Sequence, residues 1–140
     1  MIAKDIRTKN EFYIAPLYNL LIDDGKKIWL IDYEYSGNND ACFELGNIWS
    51  EAKLPISALE ELVAAYYGGS RPEKLARAWL FAVLAKYGWT LWASIQSSVS
   101  DIDFDFWQWG MEKFEDVEES FASDKFERAL TQVTQKSLLL

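Results

Sequence analysis

A single hairpin signal followed only by helical patterns constrains the fold of this chain more than any other feature. Asp24-Gly25 separates two apolar runs, Leu20–Ile22 and Ile28–Ile31, which predicts a pair of short antiparallel strands. The second run is apolar on both faces, so we expect both faces to be covered. Residues 1–12 show no periodicity and are predicted to be poorly ordered, whereas residues 13–35 are predicted to form the hairpin and the loop after it.

Residues 41–136 carry the patterns of successive helices. Apolar positions within Phe43–Trp49 predict a short first helix. Ser57 and Glu60 have the spacing of a capping box, so a second helix is expected to begin there and to end at Gly68.

The longest helical pattern starts at Pro72 and continues to about Ser98. Its basic residues Lys74 and Arg77 are expected on the outer side, opposite one buried stripe. That stripe consists of Leu75, Trp79, Val83, Tyr87 and Leu91. Two further helices are predicted beyond it. We therefore expect a single domain of α+β class, mainly α with a small β-hairpin.

Composition favours a compact domain with many internal aromatic side chains. Half of the 140 residues are hydrophobic and 16% are aromatic, so many aromatic residues must lie in the core or line a pocket. The net charge of −8 disfavours binding to nucleic acid or to an anionic membrane and favours a cationic substrate. The N-terminal residues lack the apolar run of a signal peptide, and no later run is long enough to span a bilayer, so a cytoplasmic protein is expected.

The residue types that are missing narrow the chemistry. The sequence contains no histidine, which removes histidine-based acid–base and nucleophilic catalysis and most zinc sites. Its one cysteine, Cys42, excludes an internal disulfide and is expected to be a small buried apolar side chain. Among the possible kinds of site, one in which carboxylates bind hard cations remains. Asp32 suits this chemistry because an apolar strand delivers it into a polar loop, and phosphoryl transfer needs such a rigid Mg²⁺ ligand.

The segment Ile31-Asp32-Tyr33-Glu34-Tyr35 resembles the Ile-Asp-aromatic-Glu-Tyr segment of choline and ethanolamine kinases, which are relatives of the aminoglycoside phosphotransferases with a protein-kinase-like fold. The likeness covers nearly the whole chain from Asn19 onward. It implies the C-terminal lobe of such a kinase, with Asn19 and Asp32 as metal ligands. It also implies Mg²⁺ and ATP as cofactors of the full-length enzyme.

The same resemblance implies that two catalytic parts are missing. In the family an aspartate five residues before the metal-binding asparagine accepts the proton of the substrate hydroxyl, and here that position is Ile14. No catalytic residue is therefore assigned. No glycine-rich phosphate loop or strand lysine precedes Ile14, so the N-terminal nucleotide lobe is expected to be absent and the chain to be inactive, or nearly so, on its own. A fragment, a truncated paralogue and a functional short protein all fit this pattern.

The segment Tyr87–Gln96 is similar to the family's Trp-x-x-Trp helix, which walls the choline pocket together with a following aromatic segment. Trp89 and Trp92 are three residues apart and so share a helix face. Trp109 is expected to complete an aromatic box. Such a box suits a quaternary ammonium, which donates no hydrogen bond and is attracted to ring faces with a carboxylate nearby.

Other residues are assigned two different roles, binding of the substrate and packing in the core. Glu34 is retained as a further substrate-site residue, whereas Phe106 and Trp107 are expected to pack in the core. The alternative for the whole box is that aromatic side chains on helices are usually core residues.

These patterns predict the C-terminal, substrate-binding part of an ATP-dependent phosphotransferase that acts on a small amino alcohol of the choline or ethanolamine type. The alternative is a non-catalytic amine-binding or protein-interaction module derived from such a kinase. Neither nucleic acid nor a membrane is expected as a partner. Self-association is expected, because loss of a lobe would uncover apolar surface near Tyr13–Leu21 and Trp29.

Overall fold

The computed structural model of this chain describes residues 2–4, 11–13, 20–31 and 38–135. Four strands of three residues each form two antiparallel hairpins, β1 with β2 and β3 with β4. The strands are β1 (Ile2–Lys4), β2 (Glu11–Tyr13), β3 (Leu20–Ile22) and β4 (Ile28–Leu30). The hairpin predicted from Asp24-Gly25 is therefore confirmed, with Leu21 opposite Trp29.

The expected burial of the second strand of this hairpin is wrong. Ile28 is 61% exposed and Trp29 is 47% exposed. Among the described elements the hairpin contacts only β2, so no described helix covers either face. The Trp29 ring is instead held locally, because its indole N–H donates to the Asp23 carboxylate at 2.8 Å and the Lys27 ammonium lies 3.6 Å from the ring centroid.

The first hairpin was not predicted. Strands of three residues are too short to show the period-two alternation by which a strand is identified in a sequence. The poor order expected for residues 1–12 as a whole stays a prediction, since residues 1 and 5–10 lie outside the described residues.

Five helices follow in the described part of the chain, and the mainly α architecture is confirmed. They are α1 (Ala41–Glu51), α2 (Ile56–Tyr67), α3 (Pro72–Val99), α4 (Phe106–Phe121) and α5 (Asp124–Gln135). Gly68 ends α2 in the left-handed conformation, at φ 73°, as its sequence position predicts. The capping box is wrong: α2 starts after Pro55, which places Ser57 inside the helix with no side-chain cap.

Helix α3 is the centre of the fold and packs against α1, α2, α4 and α5. The expected single stripe is correct for Trp79 and Val83, which are buried, but wrong for Tyr87 and Leu91, which are 42% and 51% exposed. Because four helices pack against α3, its buried positions are mostly small residues on several faces. These are Ala76, Ala78, Ala82, Ala85 and Ala93.

Two glycines set how closely α3 and its neighbours approach. A Cβ built on Gly46 of α1 would lie 2.1 Å from the carbonyl oxygen of Ala78, and one on Gly110 of α4 would lie 2.8 Å from the Cβ of Ala93. At Gly46 the two helices therefore pack backbone against backbone, and at Gly110 the α4 backbone packs against the Ala93 methyl group. Among the described residues, no helix is both long and apolar enough to cross a membrane.

Candidate functional site

The three tryptophans expected to form an aromatic box meet between α3 and α4. The ring centroids of Trp89 and Trp92 lie 5.8 Å apart, and that of Trp109 lies 6.4 Å from the first and 6.2 Å from the second. All three pairs are edge-to-face, with interplanar angles of 66° to 85°. Each ring thus directs a face or an edge toward the same small volume, and all three are only partly buried.

Backbone approach and neighbouring rings fix this arrangement. Gly110 lets α4 approach α3 closely enough for Trp109 to reach the two α3 rings. The buried Phe106 packs on Trp92 at 5.6 Å, and Phe104 lies 6.4 Å from Trp109. The expectation that Phe106 is a packing residue is confirmed. The same expectation is wrong for Trp107, which is 58% exposed because it projects from the outer side of α4.

A polar contact orients the first ring of the cluster. The indole N–H of Trp89 donates to the side-chain oxygen of Asn47 on α1 at 3.1 Å. A partly buried indole that donates a hydrogen bond has a preferred orientation, so α1 helps to set which face of Trp89 points toward its neighbours.

An ion pair between helices lies against the third ring. The Lys113 ammonium donates to both carboxylate oxygens of Glu51, at 2.7 and 2.8 Å, and both side chains are nearly buried. The same ammonium lies 4.4 Å from the centroid of Trp109. One face of Trp109 therefore already holds a cation of the protein itself, with its carboxylate partner beside it.

The acidic residue next to α1 has a structural role. Asp40 caps α1 by accepting from the Cys42 amide at 2.8 Å and pairs with Arg77 on α3 at 2.6 Å. Its partial burial opposes ionisation, but these two donors together outweigh that cost and hold the pKa of Asp40 below its ordinary value. Arg77 is thus an inter-helix partner of α1 and not the purely outer residue that was expected.

Cys42 is fully buried, as expected for a small apolar residue. Its sulfur lies 3.2 Å from the Tyr67 hydroxyl, and burial raises the pKa of the thiol. A buried thiol with a raised pKa is a poor nucleophile, so this side chain acts in packing.

The predicted metal-site residues lie outside the described part of the chain. Asn19, Asp32 and Glu34 are not among the described residues, and Ile14 is not among them either. Within residues 20–31 and 38–135, no group of three acidic, cysteine or histidine side chains could hold a metal ion. The assignments of Asn19 and Asp32 to the metal and of Glu34 to the substrate therefore stay predictions.

Sequence reasoning found the three rings but missed the polar residues around them. Lys113 follows Trp109 by four residues and therefore shares its helix face, a signal that was available. Glu51 and Asn47 left no local signal, because they lie 62 and 42 residues from their partners in the sequence.

The chain has recognisable relatives, although no family model matches it. It is 28% identical to ethanolamine kinase 2 of Mus musculus over 116 residues, which cover 69% of this chain and 30% of that kinase. It is 26% identical to probable choline kinase 2 of Arabidopsis thaliana over 122 residues, which cover 69% of this chain and 35% of that protein. The chain thus spans about a third of the length of these curated relatives.

A solved structure gives the same result for the fold. The crystal structure of a choline/ethanolamine kinase family protein from Mesorhizobium loti matches 82% of this chain and 39% of its own, with a TM-score of 0.74 and 34% sequence identity. Partial coverage of this kind fits the C-terminal part of such a protein. By sequence and by fold, the chain belongs to the choline/ethanolamine kinase family.

Proposed function

We propose that this chain is the amine-binding, C-terminal part of a choline/ethanolamine kinase-like phosphotransferase, and that on its own it binds a small cationic amine without phosphorylating it. The observation that carries the proposal is the meeting of Trp89, Trp92 and Trp109 in one partly exposed cluster. The relatives are ethanolamine and choline kinases, which favours a cationic amino alcohol as the ligand class.

The surroundings of the cluster support a cation as its ligand. The Lys113 ammonium against Trp109 shows that this environment accepts a positive charge at cation–π distance when a carboxylate, here Glu51, lies nearby. Since Lys113 covers one face of Trp109, an incoming amine would rely mainly on Trp89 and Trp92. Two ring contacts of about 0.5–2 kcal/mol each supply at most about 4 kcal/mol before the entropic cost of binding, so we expect weak binding with a dissociation constant above about 1 mM.

The proposal that this chain lacks turnover rests on the position of the proton acceptor. By the resemblance to the family, Ile14 falls at the position of the catalytic aspartate, and an aliphatic side chain cannot accept the proton of a substrate hydroxyl. Asn19 and Asp32 are the residues that would hold Mg²⁺ in a full-length enzyme. In an assay with Mg²⁺-ATP and either choline or ethanolamine, we expect turnover far below the kinase range of roughly 1–100 s⁻¹. Turnover within that range would contradict this part of the proposal.

Titration calorimetry of the 140-residue chain tests the binding part. We expect choline to bind and Mg²⁺-ATP not to bind. Trp92→Ala should abolish choline binding, whereas Trp107→Ala should leave it unchanged, because Trp107 lies on α4 outside the cluster and is exposed. Circular dichroism serves to check that both variants keep their helices. No choline binding by the folded chain, or equal losses in the two variants, would contradict the proposed site.

A further inference from the structure

The lysine that lies against the tryptophan cluster is held in the way that a bound amine would be held. The Lys113 ammonium donates to both carboxylate oxygens of Glu51, at 2.7 and 2.8 Å, and lies 4.4 Å from the ring centroid of Trp109. The two charged side chains are only 13% and 9% exposed. A primary ammonium carries both a charge and N–H donors, so a ring face beside a carboxylate suits it. Lys113 therefore occupies the place that a primary amine would need.

Two other acceptors near the cluster are already bonded to groups of the protein. The side-chain oxygen of Asn47 accepts from the Trp89 indole at 3.1 Å. Asp105, at the start of α4 and four residues before Trp109, accepts from the Gln108 amide at 2.9 Å and is exposed. An exposed carboxylate attracts every cation weakly through water, so it does not distinguish one amine from another. Among the described residues, the cluster thus offers a ligand mainly ring faces.

Quaternary and primary ammonium groups differ in what they lose when they enter such a site. A trimethylammonium group has no N–H donor, so attraction to ring faces is sufficient to hold it. A primary ammonium has three N–H donors, and each donor that leaves water without finding an acceptor loses a hydrogen bond. One unpaired donor of this kind weakens binding by roughly tenfold. A site made of ring faces therefore disfavours the primary amine.

We propose that Lys113 makes the tryptophan cluster selective for quaternary over primary ammonium ligands, because it already holds the carboxylate that a primary ammonium requires. This selectivity rests on the proposed amine binding at the same cluster and names its ligand class. Lys113 and Glu51 together carry no net charge, so the pair leaves the attraction between a quaternary group and the rings intact. The relatives include both ethanolamine and choline kinases, so similarity to them does not decide between the two amines.

Titrations with choline and with ethanolamine at equal ionic strength measure the selectivity. The indole N–H resonances of Trp89 and Trp92 report binding of either amine. The unmodified chain should bind choline about tenfold more tightly than ethanolamine. Lys113→Met frees the Glu51 carboxylate, so it should tighten ethanolamine binding by about tenfold and choline binding by clearly less. The preference for choline should then disappear.

Two further variants separate selectivity from a purely structural role of the ion pair. Lys86→Met is the matched control, because it breaks the pair that Lys86 forms with Asp116 at 2.7 Å between the same two helices. It should leave the ratio of the two affinities unchanged. Lys113→Met combined with Glu51→Leu replaces the nearly buried ion pair by apolar side chains, a change that folded proteins often tolerate. This double variant offers no carboxylate, so it should keep the preference for choline.

The outcomes distinguish this selectivity from amine binding itself. Similar affinities of the unmodified chain for choline and ethanolamine would overturn the selectivity and leave the proposed amine site standing. The same conclusion would follow if Lys113→Met changed both affinities by the same factor, or if the double variant lost the preference for choline. Binding of neither amine by the folded, unmodified chain would overturn the proposed function, and the selectivity with it.

Discussion

The two halves of α3 use the same residue type for different purposes. In the first half Trp79 is 7% exposed and packs against Phe126 in the core. In the second half Trp89 and Trp92 are only partly buried and meet the third tryptophan of the cluster. The helix is continuous across both halves, so its neighbours decide the difference. Hence the role of a tryptophan on a helix, in the core or at a ligand site, depends on the helices that pack around it.

Removal of the core tryptophan should give the largest effect. Trp79→Ala would leave a cavity at the contact between α3 and α5, and we expect it to lower the free energy of unfolding by about 3–5 kcal/mol. Urea denaturation followed by far-ultraviolet circular dichroism measures this loss. Trp92→Ala serves as the matched control in the second half of the helix and should cost clearly less. Equal losses would break the distinction between the two halves.

Two glycines extend the comparison of packed and open positions to the helix backbone. Gly46→Ala places a Cβ against the Ala78 carbonyl and should destabilise the chain by about 1–3 kcal/mol, because α1 and α3 must move apart. The Cβ that Gly88→Ala adds meets no atom within 4 Å, so this change should stabilise the chain by about 0.5–1 kcal/mol. Thermal unfolding at low protein concentration measures both. A destabilising Gly88→Ala would contradict the open surroundings of Gly88.

The smallest expected loss of stability concerns the start of α1. Asp40→Ala removes the helix cap and the partner of Arg77, so we expect a loss of about 1 kcal/mol at pH 7. Because the pKa of Asp40 is lower in the folded chain than its ordinary value of 3.8, its charge stabilises the fold above that pH. This contribution disappears as the pH falls through the lowered pKa.

Unfolding experiments at pH 7 and pH 3 check that dependence. The difference between the unmodified chain and Asp40→Ala should shrink at the lower pH. Ser57→Ala, which removes an exposed and non-ionisable side chain inside α2, is the control and should show no such change. A difference that stays constant with pH would contradict the assigned role of Asp40.

The sequence predicted those parts of the fold that depend on local signals. Asp24-Gly25 placed the hairpin, and Gly68 and Pro72 separated α2 from α3, because turn and helix-end preferences act over a few residues. The burial of Tyr87 and Leu91 was predicted wrongly. A buried stripe predicted from periodicity assumes one packed face, whereas α3 packs against four helices and buries alanines on several sides.

The candidate site likewise contains contacts that the sequence predicts and contacts that only tertiary packing determines. The contact between Trp89 and Trp92 followed from their spacing along one helix, and the place of Trp109 came from the resemblance to the family. The buried pair of Lys113 and Glu51 joins two helices across 62 residues, and such a pair is determined by tertiary packing alone. The metal and catalytic positions, Asn19, Asp32 and Ile14, lie outside the described residues, so those assignments stay predictions.

Nuclear magnetic resonance of the indole N–H groups tests amine binding by the tryptophan cluster most directly. Choline should shift the signals of Trp89, Trp92 and Trp109 and leave that of the core residue Trp79 unchanged. The neutral isostere 3,3-dimethylbutan-1-ol has the same shape without the charge and should cause no comparable shift, because cation–π attraction requires the charge. Equal shifts with both compounds, or no shift of the cluster with choline, would contradict the account.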